Sequence, residues 1–435
     1  MKAQLLFAIT FAGAALAGQG KPLVLHEWGT FTSLQDEAGR TLGGINTDDE
    51  PVPWFCHNAG PLRIAAQSEF PPVLVKGVPG CNQFLTMRLE TPVIYFHPPQ
   101  GASTPLNASV QVSFRGGWLT QFYPDAEAGG FTNMSCPTAD TTGTLAWNDL
   151  KIGAQGTAPE TTERVWTAPR AVTAASVLAT NGESEKFLFY RGVGHLLCPL
   201  QLSRSSDGER LLARSQCDEA LSSHTLLQIP HLWLASFRAD GTCAFRSIPA
   251  VALGPSLPEG PDLPLFSVPA RFNASDYSAT RLTALRQEMR QALESEGLFA
   301  DEADALLNTW ELSYFKSAGL RLFFMVPRAW TDYYLPLHVS VPAEVKRVMV
   351  GRLELVTPQQ RAMLAQLASA PVPTKPWAMY EVANNQAVLH GSMPSAYRDL
   401  GRFRNALLLD EAAARPTPSL EAFIRLNRLQ GQQLN

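Results

Sequence analysis

The feature that most constrains this chain is the run of short apolar segments between Leu23 and Ile248. They are rich in Val, Phe, Tyr, Trp and Thr and are broken by Gly, Pro and Asn every few residues. Such spacing suits strands of a sandwich or barrel, because β-branched and aromatic side chains fit a pleated surface and the punctuating residues turn the chain. Three hairpins are expected. One joins Thr30–Leu34 to Arg40–Leu42 through Asp36–Gly39, one joins Val110–Phe114 to Trp118–Tyr123 through Gly116 and Gly117, and one joins Ala235–Arg238 to Cys243–Arg246 through Asp240 and Gly241.

Prolines then become frequent between Pro249 and Pro269, which suits a connector that cannot donate to a sheet. Past it, Leu282, Leu285, Met289 and Leu293 fall at helical spacing, and Asp301 stands where it would cap a second helix. Strand character returns in 320–326 and 347–356. Thr357 and Pro358 then open a helix to about Ala368, and Pro416 and Pro418 split two more helices between Tyr397 and Leu429. The expected organisation is a leader over 1–17, a β-rich, antiparallel, sandwich-like domain over 18–248, a Pro-rich connector over 249–270 and an α+β region over 271–435. The pattern leaves open whether the late strands join the first sheet.

The leader is read from Lys2, the apolar run Leu5–Leu16 and the small residues Ala15-Leu16-Ala17. Cleavage near Ala17 would send the chain to the periplasm or outside the cell, with no stable membrane anchor, since the run is shorter than the ~20 residues a membrane helix needs. In that oxidising setting the six cysteines favour disulfides, and proximity suggests Cys56 with Cys81 and Cys198 with Cys217, leaving Cys136 for Cys243. The mature chain would carry 34 basic and 39 acidic side chains without a basic run, which excludes nucleic acid as a partner because phosphates need a dense cationic stripe.

Charged groups recur inside the apolar segments. In Leu25-His26-Glu27-Trp28-Gly29-Thr30-Phe31, strand alternation puts His26 with Trp28 on one face and Glu27 with Leu25 and Phe31 on the other, so one ionisable group must meet an apolar side. A buried ionisable group must be paired, or its pKa moves until it is neutral. Arg88 and Glu90 share a strand face ahead of His97. Arg191 interrupts an aromatic strand before Gly192, Gly194 and His195, and Glu90 and Arg191 are candidates for an internal ion pair. Arg352 and Glu354 can pair on a solvated face, and Trp330–Tyr334 offers a stacking platform for a sugar.

Standard catalytic spacings are missing. His26-Glu27 is followed by Trp28-Gly29-Thr30, so HExxH fails, and neither GxSxG nor a phosphate-cradling glycine loop occurs. What is left is a site assembled from distant segments. Its metal ligands would be His26, His97 and His195, suited to zinc or copper, and Glu27 or Glu90 would act as base with Arg191 beside them.

The octapeptide His26–Ser33, with Glu90–Phe96, Phe189–Gly192 and Val350–Glu354, resembles segments of a group of uncharacterised exported bacterial proteins. The resemblance implies export and a bacterial source, and implies no activity, cofactor or catalytic residue. Two functions therefore stay open from sequence: a hydrolase with a polar, metal-assisted site on the first strand, acting on a small molecule or glycan, and a non-catalytic envelope or secreted protein that binds a glycan or a protein.

Overall fold

Strand β1 (Leu23–Gln35) is thirteen residues long and buried along nearly all of its length. It lies at the centre of a fifteen-stranded mixed sheet. The computed structural model describes residues 22–46, 52–59, 82–103, 105–131, 136–217, 221, 227–254, 264–377, 393–427 and 429, with the backbone of the short strands Leu74–Val75, Val78–Pro79, Met379–Ala383 and Gln386–His390. The expected leader and Cys81 lie outside these residues.

The sheet also contains β2 (Met87–His97), β3 (Leu106–Arg115), β4 (Gly117–Tyr123), β5 (Thr142–Ile152), β6 (Leu188–Gly194), β7 (Leu232–Phe237), β8 (Cys243–Ile248), β9 (Gly319–Met325) and β10 (Ala343–Leu355). From β5 its order is β5-β4-β6-β2-β1-β10-β9-β7-β8, and β3 pairs with β5 off this path. Strand β10 runs parallel to β1, with Leu23 opposite Ala343, and β9 bridges β10 to β7. The late strands thus sit between the early ones, and the expected boundary at 249–270 does not separate two sheets. The proline-rich stretch itself supplies edge strands: Val251–Leu253 pairs with Leu227–Ile229, and Phe266–Pro269 pairs with the strand Arg210–Ser215.

Of the expected hairpins, β7 and β8 pair as read, Phe237 opposite Cys243. The other two differ. Gly116, at φ +78°, turns the chain between β3 and β4, but β3 then pairs with β5 while β4 pairs with β6. Residues 36–39 turn back with only the bridge Gln35–Thr41, because β1 is already flanked by β2 and β10.

Helices cover the sheet in the C-terminal part: α1 (Ala279–Ser295), α2 (Ala300–Thr309), α3 (Pro358–Ala368), α4 (Arg404–Ala414) and α5 (Pro418–Leu426). Thr357 caps α3, its hydroxyl accepting from Gln360 N–H and the Gln360 side chain accepting from Thr357 N–H. Asp301 lies inside the first turn of α2 instead of capping it, and its carboxylate accepts from Thr173 N–H.

Both faces of β1 are thereby covered. Leu23, Leu25 and Phe31 enter one apolar cluster with Phe114, Trp147 and Tyr190, and Trp28 enters another with Tyr95, Leu285, Leu306 and Trp310. Leu34 enters a third, with Leu364, Phe403 and Leu420.

Cys56, Cys198 and Cys243 carry thiols, so none of the three expected bridges is formed. Cys243, left for Cys136 by elimination, starts the edge strand β8 among Phe237 and Phe323. Burial pushes the Cys198 and Cys243 thiols up to about 12.

Gly192 in β6 is needed for a close approach of main chains: a Cβ there would lie 2.2 Å from the Trp118 carbonyl oxygen. Backbone cannot yield as a side-chain tip can. Gly192→Ala is expected to cost at least about 1–3 kcal/mol, the usual penalty of overpacking, read as a lower urea midpoint at unchanged slope.

Candidate functional site

Three ligand-type side chains from distant segments converge where β1 and β2 meet the start of α2. The alternation of β1 turns His26 and Trp28 toward the helices. On β2, antiparallel to β1, Val24 lies opposite His97 and His26 opposite Tyr95, so His26 and His97 are diagonal neighbours on one face. Their ring centroids are 5.1 Å apart, edge to face.

Glu302 enters from the first turn of α2. Its Oε2 accepts from Phe299 N–H at 2.8 Å, closing the helix start, and lies 2.7 Å from His26 Nδ1, while its Oε1 lies 3.0 Å from His97 Nε2. Burial alone would raise this carboxyl. The two imidazoles and the Phe299 amide outweigh it and hold Glu302 below the usual carboxylate range. Burial and the nearby Glu302 charge together push the Tyr95 phenol up.

The side chain of Glu302 is fully buried and that of His26 nearly so, whereas His97 keeps 14% of its surface. Access is therefore from the His97 side. There the half-exposed Phe299 ring lies over both imidazoles, at 4.6 and 4.9 Å between centroids.

The ligand atoms of His26, His97 and Glu302 all lie within 4.8 Å of one another. An ion with bonds of ~2.0–2.2 Å needs its ligands roughly 3.4 Å apart in a tetrahedral arrangement. Seating one here replaces the two ring protons that face Glu302, opens those contacts by about half an ångström and draws the farthest ligand atoms, up to 4.8 Å apart, inward.

The other expected site residues fall elsewhere. His195 is exposed, with Nδ1 2.7 Å from the Phe84 carbonyl oxygen, and does not belong to the cluster. It follows β6, two strands away from β1 in the sheet order.

Glu27 faces the opposite side of β1 and is consumed by partners. Tyr190 Oη donates to one of its oxygens and Arg347 Nε to the other, and Arg347 Nη1 reaches Asp332 at 2.9 Å. Burial works against the Arg347 charge, but Glu27 and Tyr190 more than offset it and raise its pKa. Burial, reinforced by Glu27, also drives the Tyr190 hydroxyl well above its ordinary range. A carboxylate so held is a poor general base. One of His26 and Glu27 was expected to face an apolar side; both do, because both faces of β1 are covered.

Glu90 pairs with Arg88 at 2.5 Å and more loosely with Arg352 at 3.8 Å, so its partners are not the anticipated Arg191. The bulge at Thr91 is responsible. The register of β1 against β2 slips between Trp28 and Thr30, Thr91 adopts φ +43°, and Arg88 and Glu90 come to the same face as Val93 and Tyr95. Arg191 donates instead from Nε to Gln121 Oε1.

Arg352 and Glu354, expected on a solvated face, are buried because β10 is flanked by β1 and β9 and roofed by Tyr314 and the C-terminal helices. Glu354 Oε1 lies 3.2 Å from both Arg352 and Arg321, and burial pushes Arg321 down to about 10. Trp330 is core, edge-on to Phe31 at 4.8 Å within the helix Arg328–Tyr334, and offers no platform.

No family model matches the chain, and no curated protein matches it. Among solved structures, the Mu homology domain of Fcho1 from Danio rerio, with a bound Eps15 peptide, is similar over 78% of this chain and 96% of that one, at 7% identity and a TM-score of 0.26. A likeness of that degree carries no argument about this chain.

Proposed function

We propose that the chain is an exported, metal-assisted hydrolase whose centre is His26, His97 and Glu302. The convergence of these three ligand-type atoms at one half-open spot carries the reading. Two imidazoles and a carboxylate form a donor set suited to zinc, and three protein ligands leave a fourth position for water. A bound water would then ionise near neutral pH and attack a substrate entering beside His97 and Phe299. A sandwich-like layering, with β3 and β5 folded over β6, fits the contact of Trp147 with Tyr190 at 6.2 Å.

The completeness of the Glu302 hydrogen bonding favours a second reading, in which the cluster clamps α2 to the sheet of a non-catalytic binding protein. Metal content separates the two. Tag-free mature protein is expected to hold about one zinc-class ion per chain by elemental analysis. His97→Ala and Glu302→Gln are expected to lose it and His195→Ala to keep it, with hydrolysis of a simple activated ester lost on chelation and restored by zinc. Folded wild-type protein that takes up no ion from a zinc-containing buffer would leave the clamp as the better reading.

A further inference from the structure

We propose a second, separate ligand site, for a neutral sugar ring, in the groove beside Trp54. Trp54 is the most exposed large apolar side chain among the described residues, 87% accessible. Water does not favour such a surface, and an indole held outward next to a groove serves to cover a ligand's apolar face.

The turn that carries the indole is anchored. A turn closed by Cys56 N–H donating to the Pro53 carbonyl at 3.1 Å sends Trp54 outward and the next residue inward. Phe55 packs edge-on to Tyr123 at 5.0 Å and to Trp166 at 5.1 Å, which anchors the turn in the core. Little backbone ordering entropy is then lost when a ligand docks on Trp54.

The groove measures about 640 Å³, within the range of small-ligand sites. Opposite the indole its wall is polar and fixed. His57 stacks parallel to Tyr123 at 6.1 Å, its Nε2 lies 2.8 Å from Glu183 Oε1, and its Nδ1 lies 3.8 Å from Asp125 Oδ1. Asp125 N–H donates to Glu183 Oε2 at 2.7 Å. The Glu183 loop turns at Gly182, whose φ is +90°.

A pyranose has one face of C–H groups and an edge of hydroxyls. The indole matches the first, and the pre-oriented carboxylate and imidazole accept from and donate to the second. Two carboxylates at this wall repel uronic acids and phosphosugars, which selects a neutral ring.

Cellohexaose and chitohexaose, titrated into the mature protein by calorimetry and tryptophan fluorescence, test the site. At least one should bind saturably. Trp54→Ala should weaken it by about tenfold or more, Trp54→Phe should retain most of the affinity, and Glu183→Gln should weaken it with the fold intact by circular dichroism. His97→Ala should bind as wild type does, which keeps this result separate from the metal centre. Absence of saturable binding to either hexasaccharide, unchanged affinity in Trp54→Ala, or binding of a polyproline decapeptide in their place would overturn the proposal.

Discussion

Glu90→Gln is expected to lower the unfolding free energy by about 3–5 kcal/mol, the cost of breaking a buried ion pair from one side. The substitution keeps the shape of the side chain and removes only its charge, so packing changes little. What it leaves behind is Arg88, fully buried and deprived of the carboxylate at 2.5 Å, and Arg352, whose looser partner at 3.8 Å is lost at the same time. Glu354 still faces Arg352 and Arg321, with cation–π contacts from Tyr314 and Phe237 as weaker support. Both arginines are buried, so neither charge is met by water. Urea unfolding of the two proteins should show the midpoint shift at similar slope. Metal content should be unaffected, because this cluster lies at the Thr30–Thr32 end of β1 and His26 at the other. Equal midpoints would mean that the buried charges contribute nothing net, and that hydrophobic residues of equal volume would serve there as well.

The segments that carry charges in apolar surroundings were legible in the sequence, and so was the alternation that separates His26 from Glu27. The helix period of α1, the opening of α3 at Thr357 and Pro358 and the hairpin β7–β8 were legible too, since each depends on a few neighbouring residues. Partners across the sheet were not. Glu302 stands 276 residues from His26 and 205 from His97. Its only local mark is its place as a glutamate in the first turn after Phe299, which reads as an ordinary cap. Nor does alternation foresee a bulge: Thr91-Pro92 looks like an interruption in β2, and the two-against-one register at Gly29 that puts Glu90 with Arg352 appears only when the strands are paired. The parallel insertion of β10 beside β1 has the same status. It made β1 a strand without a solvent face, and so turned both of its ionisable groups, and Arg352 and Glu354 with them, into buried pairs.

Acid is expected to expose the Glu302 cluster. The carboxyl is held below its ordinary range by His26, His97 and the Phe299 amide in spite of its burial, so the folded state favours the ionised form. A group depressed in this way stabilises the fold fully above its unfolded pKa of about 4.3 and loses that contribution as pH falls through the lower folded value. Wild type should therefore be more stable than Glu302→Gln at pH 7, by about 1.5–3 kcal/mol for charge-assisted hydrogen bonds. The two should converge as pH drops below about 4. The groups facing Glu302 are His26 on β1 and His97 on β2, with Tyr95 close enough to feel its charge, and none of them gains a negative charge on acidification. They therefore cannot reverse the sign of the difference. Chelated protein, unfolded in urea at pH 7, 5 and 3.5, measures this without contribution from an ion. A gap that stays constant across the series would show that Glu302 acts through packing and the helix cap alone. A gap that closes in acid would show a carboxylate kept ionised against its burial by two imidazoles, which is the state a metal ligand must hold.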